Sequence, residues 1–235
     1  SDVCSSDLGY HMKPFNKYFE HELLRADATE ADALELFNEA LEYDMYSVCV
    51  DGCYLPLAKS MLEGTGVVIG TVIGFPLGTS TISTKAAELY EALDDGAQEI
   101  DAVINIGALK DGRDDYVFSE IKVLKGTCHQ RNVAFGIMIE VGLLTDEEIV
   151  RACMIAKNVG ISLVSTSSGF SPGAATPESI KLIRETVGDN IRVEASGGIE
   201  TLEQAEALIE AGADKISTPN SVRIVREYFE RETDR

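Results

Sequence analysis

The residues best suited to chemistry stand in two short stretches, Leu163-Val164-Ser165-Thr166-Ser167-Ser168-Gly169-Phe170 and Val193-Glu194-Ala195-Ser196-Gly197-Gly198-Ile199. Each is an apolar run that breaks into small residues and glycine before a helix start. A buried parallel strand passes in this way into a loop that a ligand can approach closely. Metal chemistry has no comparable pattern. His11, His21 and His129 form neither HxH nor HExxH, and the five cysteines (Cys4, Cys49, Cys53, Cys128 and Cys153) are scattered. Only Cys49 and Cys53 are close, and C-x3-C is a weak signal, so no metal site is expected. An odd, scattered set of cysteines points to free thiols in a reducing cytosol, hence a cytoplasmic protein.

The elements that must position these stretches alternate along the chain. Candidate strands are Tyr18–Glu22, Ser47–Asp51, Val67–Ile73, Glu99–Asn105, Ala134–Glu140, Leu163–Ser167, Arg192–Ser196 and Lys215–Thr218. Amphipathic helical patterns fall between them over Glu30–Tyr43, Thr84–Asp94, Tyr116–Gln130, Asp146–Asn158, Pro177–Thr186, Leu202–Ala211 and Val222–Glu232. Thr145-Asp-Glu-Glu148 and Thr201-Leu-Glu-Gln204 read as capping boxes, and Thr176-Pro177 puts proline at a first helical position. Gly96, Gly160 and Gly212 stop helices before the next strand. Eight strands alternating with helices over 235 residues predict a single (β/α)8 TIM barrel, with an open doubly wound sheet as the competitor. The barrel is expected over residues 12–235, with residues 1–11 a non-native leader, because SDVCSSDL resembles the translation of a sequencing-adapter oligonucleotide and lacks the basic and apolar regions of a secretory signal. A net charge of −20 keeps such a protein soluble and argues against nucleic acid and anionic membrane as partners. No apolar run approaches membrane-spanning length.

Six further-reaching stretches are similar to those of deoxyribose-phosphate aldolases: SVCVDGCYLPLAKSML, TVIGFPLGTSTISTKAAE, EIDAVINIGALKDG, IEVGLLTDEE, STSSGFSPGAATPESI and VEASGGIETLEQAEALIEAGA. The resemblance runs from about Tyr18 to Tyr228. It implies a (β/α)8 class I aldolase that splits 2-deoxyribose 5-phosphate into glyceraldehyde 3-phosphate and acetaldehyde. No cofactor is implied. The ligand would be a small phosphorylated sugar or aldehyde, and the assembly a homodimer, as relatives often form dimers.

The chemistry of that family needs a lysine amine whose pKa is lowered by a neighbouring cation, so that it can form a Schiff base, and an aspartate to move protons. The resemblance places the nucleophilic lysine at Ser165, the pKa-lowering lysine at Glu194, a further lysine at Gly136 and the aspartate at Asp101. Serine cannot form an imine, and glutamate raises rather than lowers a neighbouring amine's pKa. None of the ten lysines (Lys13, Lys17, Lys59, Lys85, Lys110, Lys122, Lys125, Lys157, Lys181 and Lys215) is expected at an inward position near a strand's carboxyl end. Asp101, Ser165 and Glu194 therefore form the candidate catalytic cluster. Glu20, Cys49, Thr166, Gly169, Gly173, Gly197, Gly198, Thr218 and Asn220 are the candidate substrate-binding residues. Cys49 is expected to be a buried filler rather than a reactive thiol. Alternation from the family's inward positions turns Glu20, Glu22, Asp101, Glu140 and Glu194 toward the lumen. Carboxylates gathered there without a cation should repel, hold protons, or take up a divalent cation or an amine; the alternative is that some pair with arginine or solvent near the mouth. The phosphate grip that the resemblance implies is partly kept: small residues around Gly169, Gly173, Gly197 and Gly198 let backbone amides face an anion at a helix start, while Pro219 removes one donor from the turn after the eighth strand. Three functions follow: a non-catalytic sugar-phosphate-binding homologue, a divergent lyase using Asp101 and Glu194 as an acid/base or cation-binding pair, or an active aldolase.

Overall fold

Each of the eight apolar runs becomes a strand: β1 (Phe19–Leu23), β2 (Ser47–Val50), β3 (Val68–Ile73), β4 (Glu99–Val103), β5 (Ala134–Met138), β6 (Leu163–Ser165), β7 (Arg192–Ser196) and β8 (Lys215–Thr218). Every strand pairs in parallel with the next, and β8 returns to β1 through Phe19↔Ile216 and Glu20↔Ser217, closing a barrel. The open-sheet alternative is excluded. The structure, a computed structural model, describes residues 13–234. The expected leader, with Cys4 and His11, lies outside the described residues.

The helices are α1 (Glu30–Glu42), α2 (Leu55–Leu62), α3 (Ile82–Asp94), α4 (Ile106–Lys110), α5 (Asp114–Gln130), α6 (Asp146–Val159), α7 (Pro177–Val187), α8 (Leu202–Glu210) and α9 (Ser221–Thr233). Capping boxes at Thr145 and Thr201 form as the sequence requires, and Thr176 caps α7 ahead of Pro177. Thr29 adds another with Asp32 at α1. Each such cap stabilises its helix by about 1 kcal/mol. Helices α2 and α4 escaped the sequence pattern because they run for only 8 and 5 residues, too short to display a helical period.

Three strands end two residues earlier than their apolar runs. Asn105 leaves the ladder to cap α4 with its side chain. Glu140 turns into the left-handed region at φ 59°, and Ser167 donates its amide to the Ser196 hydroxyl. These residues are where the barrel hands over to its carboxyl-end loops.

The faces of the barrel are unusual in their polarity. Outward residues such as Val48, Ile69, Ile100, Ile137, Val164, Val193 and Ile216 are buried under the helices and form the main core. The inward positions, which branched aliphatics ordinarily fill in layers, carry Glu20, Glu99, Asp101, Ser165, Glu194 and Lys215, all 5% exposed or less. Two inward glycines make room for them. A Cβ on Gly70 would lie 3.2 Å from Glu20 Oε2, and one on Gly136 only 2.0 Å from Asp101 Oδ1.

Candidate active site

The register sets the site. Asp101 pairs with Gly136 across β4 and β5, Ser165 with Glu194 across β6 and β7, and Glu194 with Lys215 across β7 and β8. Partners in a parallel ladder share a face, so all of these side chains enter the lumen. The Ser165 hydroxyl donates to Glu194 Oε1 at 2.8 Å and lies 2.7 Å from the Ser196 hydroxyl. Ser165 and Glu194 are neighbours, as the sequence placed them. Asp101 Oδ1 occupies the space that a side chain at position 136 would fill, and among the described residues it is buried without a hydrogen-bond partner.

The expectation of a lumen without a cation is overturned. Lys215, the first residue of β8, points inward with its ammonium 2.6 Å from Glu20 Oε2 and 2.9 Å from Glu194 Oε2, and it pairs with Glu99 Oε1 as well. The contact with Glu194 is an ion pair by distance, without the alignment of a hydrogen bond. Arg192 reaches Glu99 Oε2 at 2.9 Å and donates to the Tyr46 hydroxyl at 2.8 Å. These groups sit toward the amino ends of the strands, so Lys215 is inward but remote from the carboxyl-end mouth. Glu99 and Arg192 were missed as lumen residues although the signal was present, whereas Lys215 is set inward by its register with Glu194. Glu99 precedes Asp101 by two, Arg192 precedes Glu194 by two, and alternation puts each pair on one face. The oxygens of Glu20, Glu99 and Glu194 lie within 4.8 Å of one another, a spacing that suits a hard cation. The Lys215 ammonium fills that place.

Glu140 does not join this cluster. Its left-handed backbone carries the carboxylate to Ser168, which donates its amide at 3.1 Å and its hydroxyl at 2.5 Å. The glutamate thereby anchors the loop that follows β6.

Burial and like charge raise the proton affinity of several lumen carboxyl groups. Burial would raise Glu99, but Lys215 and Arg192 override it and hold the carboxyl at about 2. Burial pushes Glu20 up to about 7 against the pull of Lys215. Burial also takes Glu22 to about 7, with Glu194 and Asp51 adding to the rise. Asp101 is driven well above the usual carboxylate range by burial and then by the charge of Glu194. Burial would lower Lys215, yet Glu194, Glu20, Glu99 and Asp101 together keep it well above the ordinary lysine value. Cys49 is 3% exposed, and its thiol is pushed well above normal by burial and by Glu20. It is a filler, packed with Leu24, Val72 and Phe75.

Above the lumen, loops after β6, β7, β8 and β1 enclose a cavity of about 290 Å³. Gly169, Gly197, Gly198, Thr218 and Asn220 line it, as do Glu22, Arg25 and Phe170. Gly197 and Gly198 must be glycine there. At φ 85° and 72°, their Cβ atoms would stand 2.9 Å from Ser167 Cβ and 2.6 Å from Ala174 Cβ. Thr218 and Asn220 shape the wall by donating to the Ile199 carbonyl. Glu20, Cys49 and Thr166 lie deeper, outside this lining; Thr166 donates to the Ser196 carbonyl. Gly173 is also elsewhere, packed backbone to backbone on Gly142 with 2.7 Å from its ideal Cβ to Gly142 Cα. Phe170 meets Phe75 edge-to-face at 5.4 Å, so loops from non-adjacent strands β3 and β6 touch over the mouth.

A closed parallel barrel, with a charged lumen and a cavity walled by glycine-bearing loops at the carboxyl ends of its strands, defines a (β/α)8 TIM-barrel protein. The chain belongs to the DeoC/LacD aldolase family: residues 11–229 match the description "DeoC/LacD family aldolase". It is 48% identical over 209 residues to a deoxyribose-phosphate aldolase of Geobacillus sp. (strain WCH70), covering 89% of this chain and 93% of the relative. To that of Thermoanaerobacter sp. (strain X514) it is 47% identical over 213 residues, covering 90% and 96%. Among solved structures, QR15, an aldolase, superimposes with a TM-score of 0.89 at 36% identity, covering 94% of this chain and 99% of that one. A deoxyribose phosphate aldolase from Aeropyrum pernix, described as a unique tetramer, matches at a TM-score of 0.86 and 25% identity, covering 92% and 91%. Among the described residues no helix is long and apolar enough to cross a membrane.

Proposed function

We propose that this protein is a deoxyribose-phosphate aldolase-like member of its family that binds a small sugar phosphate without forming a Schiff base. The observation that carries the proposal is the Ser165–Glu194 hydrogen bond of 2.8 Å in the buried lumen. A hydroxyl and a carboxylate stand where the resemblance calls for a nucleophilic and a pKa-lowering lysine. Lys215 is no substitute, because three carboxylates hold it in its charged form and imine formation needs the free amine. The glycine-walled cavity supports retention of sugar-phosphate binding, since backbone amides at such turns suit an anion. The free thiols of Cys49, Cys53, Cys128 and Cys153 support a reducing, cytoplasmic setting.

Borohydride reduction in the presence of 2-deoxyribose 5-phosphate or acetaldehyde tests the proposal. Intact-mass spectra are expected to show no adduct, and a coupled assay no turnover. A reduced adduct on any lysine would overturn it. Ser165→Lys alone is expected to restore little, because Glu194 would face the new ammonium and raise its pKa, each pH unit costing about tenfold in free amine. Ser165→Lys with Glu194→Lys should restore more.

A second reading, a carboxylate-dependent lyase, is favoured by one observation: the buried Asp101 keeps one oxygen unpartnered, while burial and the charge of Glu194 push its carboxyl well above the usual carboxylate range. Two carboxyl groups in differing surroundings can act as acid and base. Carbonyl-dependent turnover that survives borohydride and is lost in Asp101→Asn would favour it over simple binding.

A further inference from the structure

We propose that the carboxyl-end cavity takes a phosphorylated amine, with phosphate against the amides of Gly169, Gly197 and Gly198 and the ammonium against Glu22. This deepens the sugar-phosphate reading and rests on it for the anionic end only.

The anionic end comes from three glycines with φ of 83°, 85° and 72°, all lining the same cavity. None of their amides donates to another described group. Successive turns of this kind present N–H groups to an anion.

The cationic end comes from an imbalance among the carboxylates. Glu20, Glu99 and Glu194 share Lys215, and Glu140 is spent on Ser168. Glu22 pairs with no described cation, and its one hydrogen bond among the described residues comes from the Ser217 hydroxyl, which donates to Oε2 at 3.0 Å. Arg25 lines the cavity too, but its guanidinium is held by Asp27 at 2.7 Å and Asp32 at 2.8 Å. Glu200, the remaining charged lining residue, is exposed at the rim. Glu22 is thus a half-buried carboxylate inside a cavity whose charged neighbours offer it no partner. Its high proton affinity, at about 7, reports the same deficit: burial, then Glu194 and Asp51, disfavour its charge. A ligand that brings its own ammonium would remedy this, and a ligand that brings only phosphate would worsen it.

The cavity fits a small molecule. Glu22 and the three glycines line one cavity of about 290 Å³, room for a phosphate and an amine joined by a two- or three-carbon bridge.

Calorimetric titration at pH 7.5 with O-phosphoethanolamine, ethyl phosphate and ethanolamine tests the assignment. O-phosphoethanolamine is expected to bind at least ~10-fold more tightly than ethyl phosphate, the size of one charge-assisted hydrogen bond. Ethanolamine alone should bind more weakly still. Glu22→Gln, which keeps an acceptor for Ser217, should bring the two phosphates within about 2-fold of each other, with the variant's melting temperature recorded to show that it folds. Equal affinity of the two phosphates for the wild type, or a preference that survives Glu22→Gln, would overturn the amine assignment and leave the phosphate site standing. Failure of both phosphates to bind, with inorganic phosphate also inert, would overturn the phosphate reading and this inference together.

Discussion

Replacing Lys215 by methionine tests the charge architecture of the lumen. Lys215 is 2% exposed and touches Glu20, Glu99 and Glu194. Methionine is similarly long and unbranched, so little cavity forms and the change is chiefly one of charge. Removing one partner from a buried ion cluster costs about 3–5 kcal/mol, because the other charges stay buried. Glu99 gives a second route to the magnitude. It is held at about 2, against an ordinary value of 4.5. A carboxyl depressed by that much contributes roughly 3 kcal/mol above its unfolded pKa, lost as pH falls toward the folded value. Part of this remains with Arg192, so the lower end of the range is the better expectation. For a chain of this size about 3 kcal/mol corresponds to a melting temperature lower by roughly 6–12 °C. The pH dependence distinguishes lost charge pairing from lost packing. In the variant the orphaned carboxyl groups bind protons more tightly folded than unfolded, so its stability falls as pH rises through their folded pKa values. The deficit relative to wild type should therefore be smaller at pH 5 than at pH 8. Thermal melts of both proteins at the two pH values decide the matter. A loss under 2 °C at both, or a larger loss at pH 5, would refute the assignment of Lys215 as the lumen's counter-ion.

Other perturbations probe neighbouring parts of the argument. Glu20 and Glu22 titrate at about 7 when folded, above the ordinary 4.5, so the folded state binds more protons between those values. Wild-type stability should accordingly fall as pH rises from about 4.5 through about 7; urea midpoints should be higher at pH 5.5 than at pH 8, and Glu20→Gln with Glu22→Gln should flatten the difference. Gly136→Ala places a Cβ 2.0 Å from Asp101 Oδ1 and 3.0 Å from Leu163 Cβ, which should cost about 1–3 kcal/mol. Adding Asp101→Ala should recover much of that loss in denaturant titrations, whereas strict additivity would show that Asp101 is not the obstacle. Lys85 is fully buried between the Glu120 carboxylate at 2.6 Å and the Val103 carbonyl at 2.6 Å, and Glu120 also accepts the Asn105 amide. Lys85→Met should destabilise by about 3–5 kcal/mol, and Glu120→Gln should rescue the variant by removing the orphaned charge.

The sequence by itself determined the architecture. Eight β-rich runs, the capping residues Thr145, Thr176 and Thr201, and glycines at the helix stops are local features, and local features survive translation into a chain of symbols. It also placed Ser165 beside Glu194 and Asp101 beside Gly136, because a parallel register with alternating faces carries a one-dimensional pattern directly into a shared lumen. Tertiary structure alone decided which charges meet. Lys215 heads the last strand and Glu20 lies near the start of the first, yet barrel closure brings them to 2.6 Å. Nothing in the spacing of two residues at opposite ends of a chain announces that contact. The same holds for Glu140, whose alternation points it inward until a left-handed backbone turns it to Ser168. It holds for Gly173, whose neighbour is the backbone of Gly142 rather than a ligand cavity. Alternation fixes the face on which a side chain starts. Depth along the barrel axis, and the partner found there, depend on closure and on where each strand gives way to its loop.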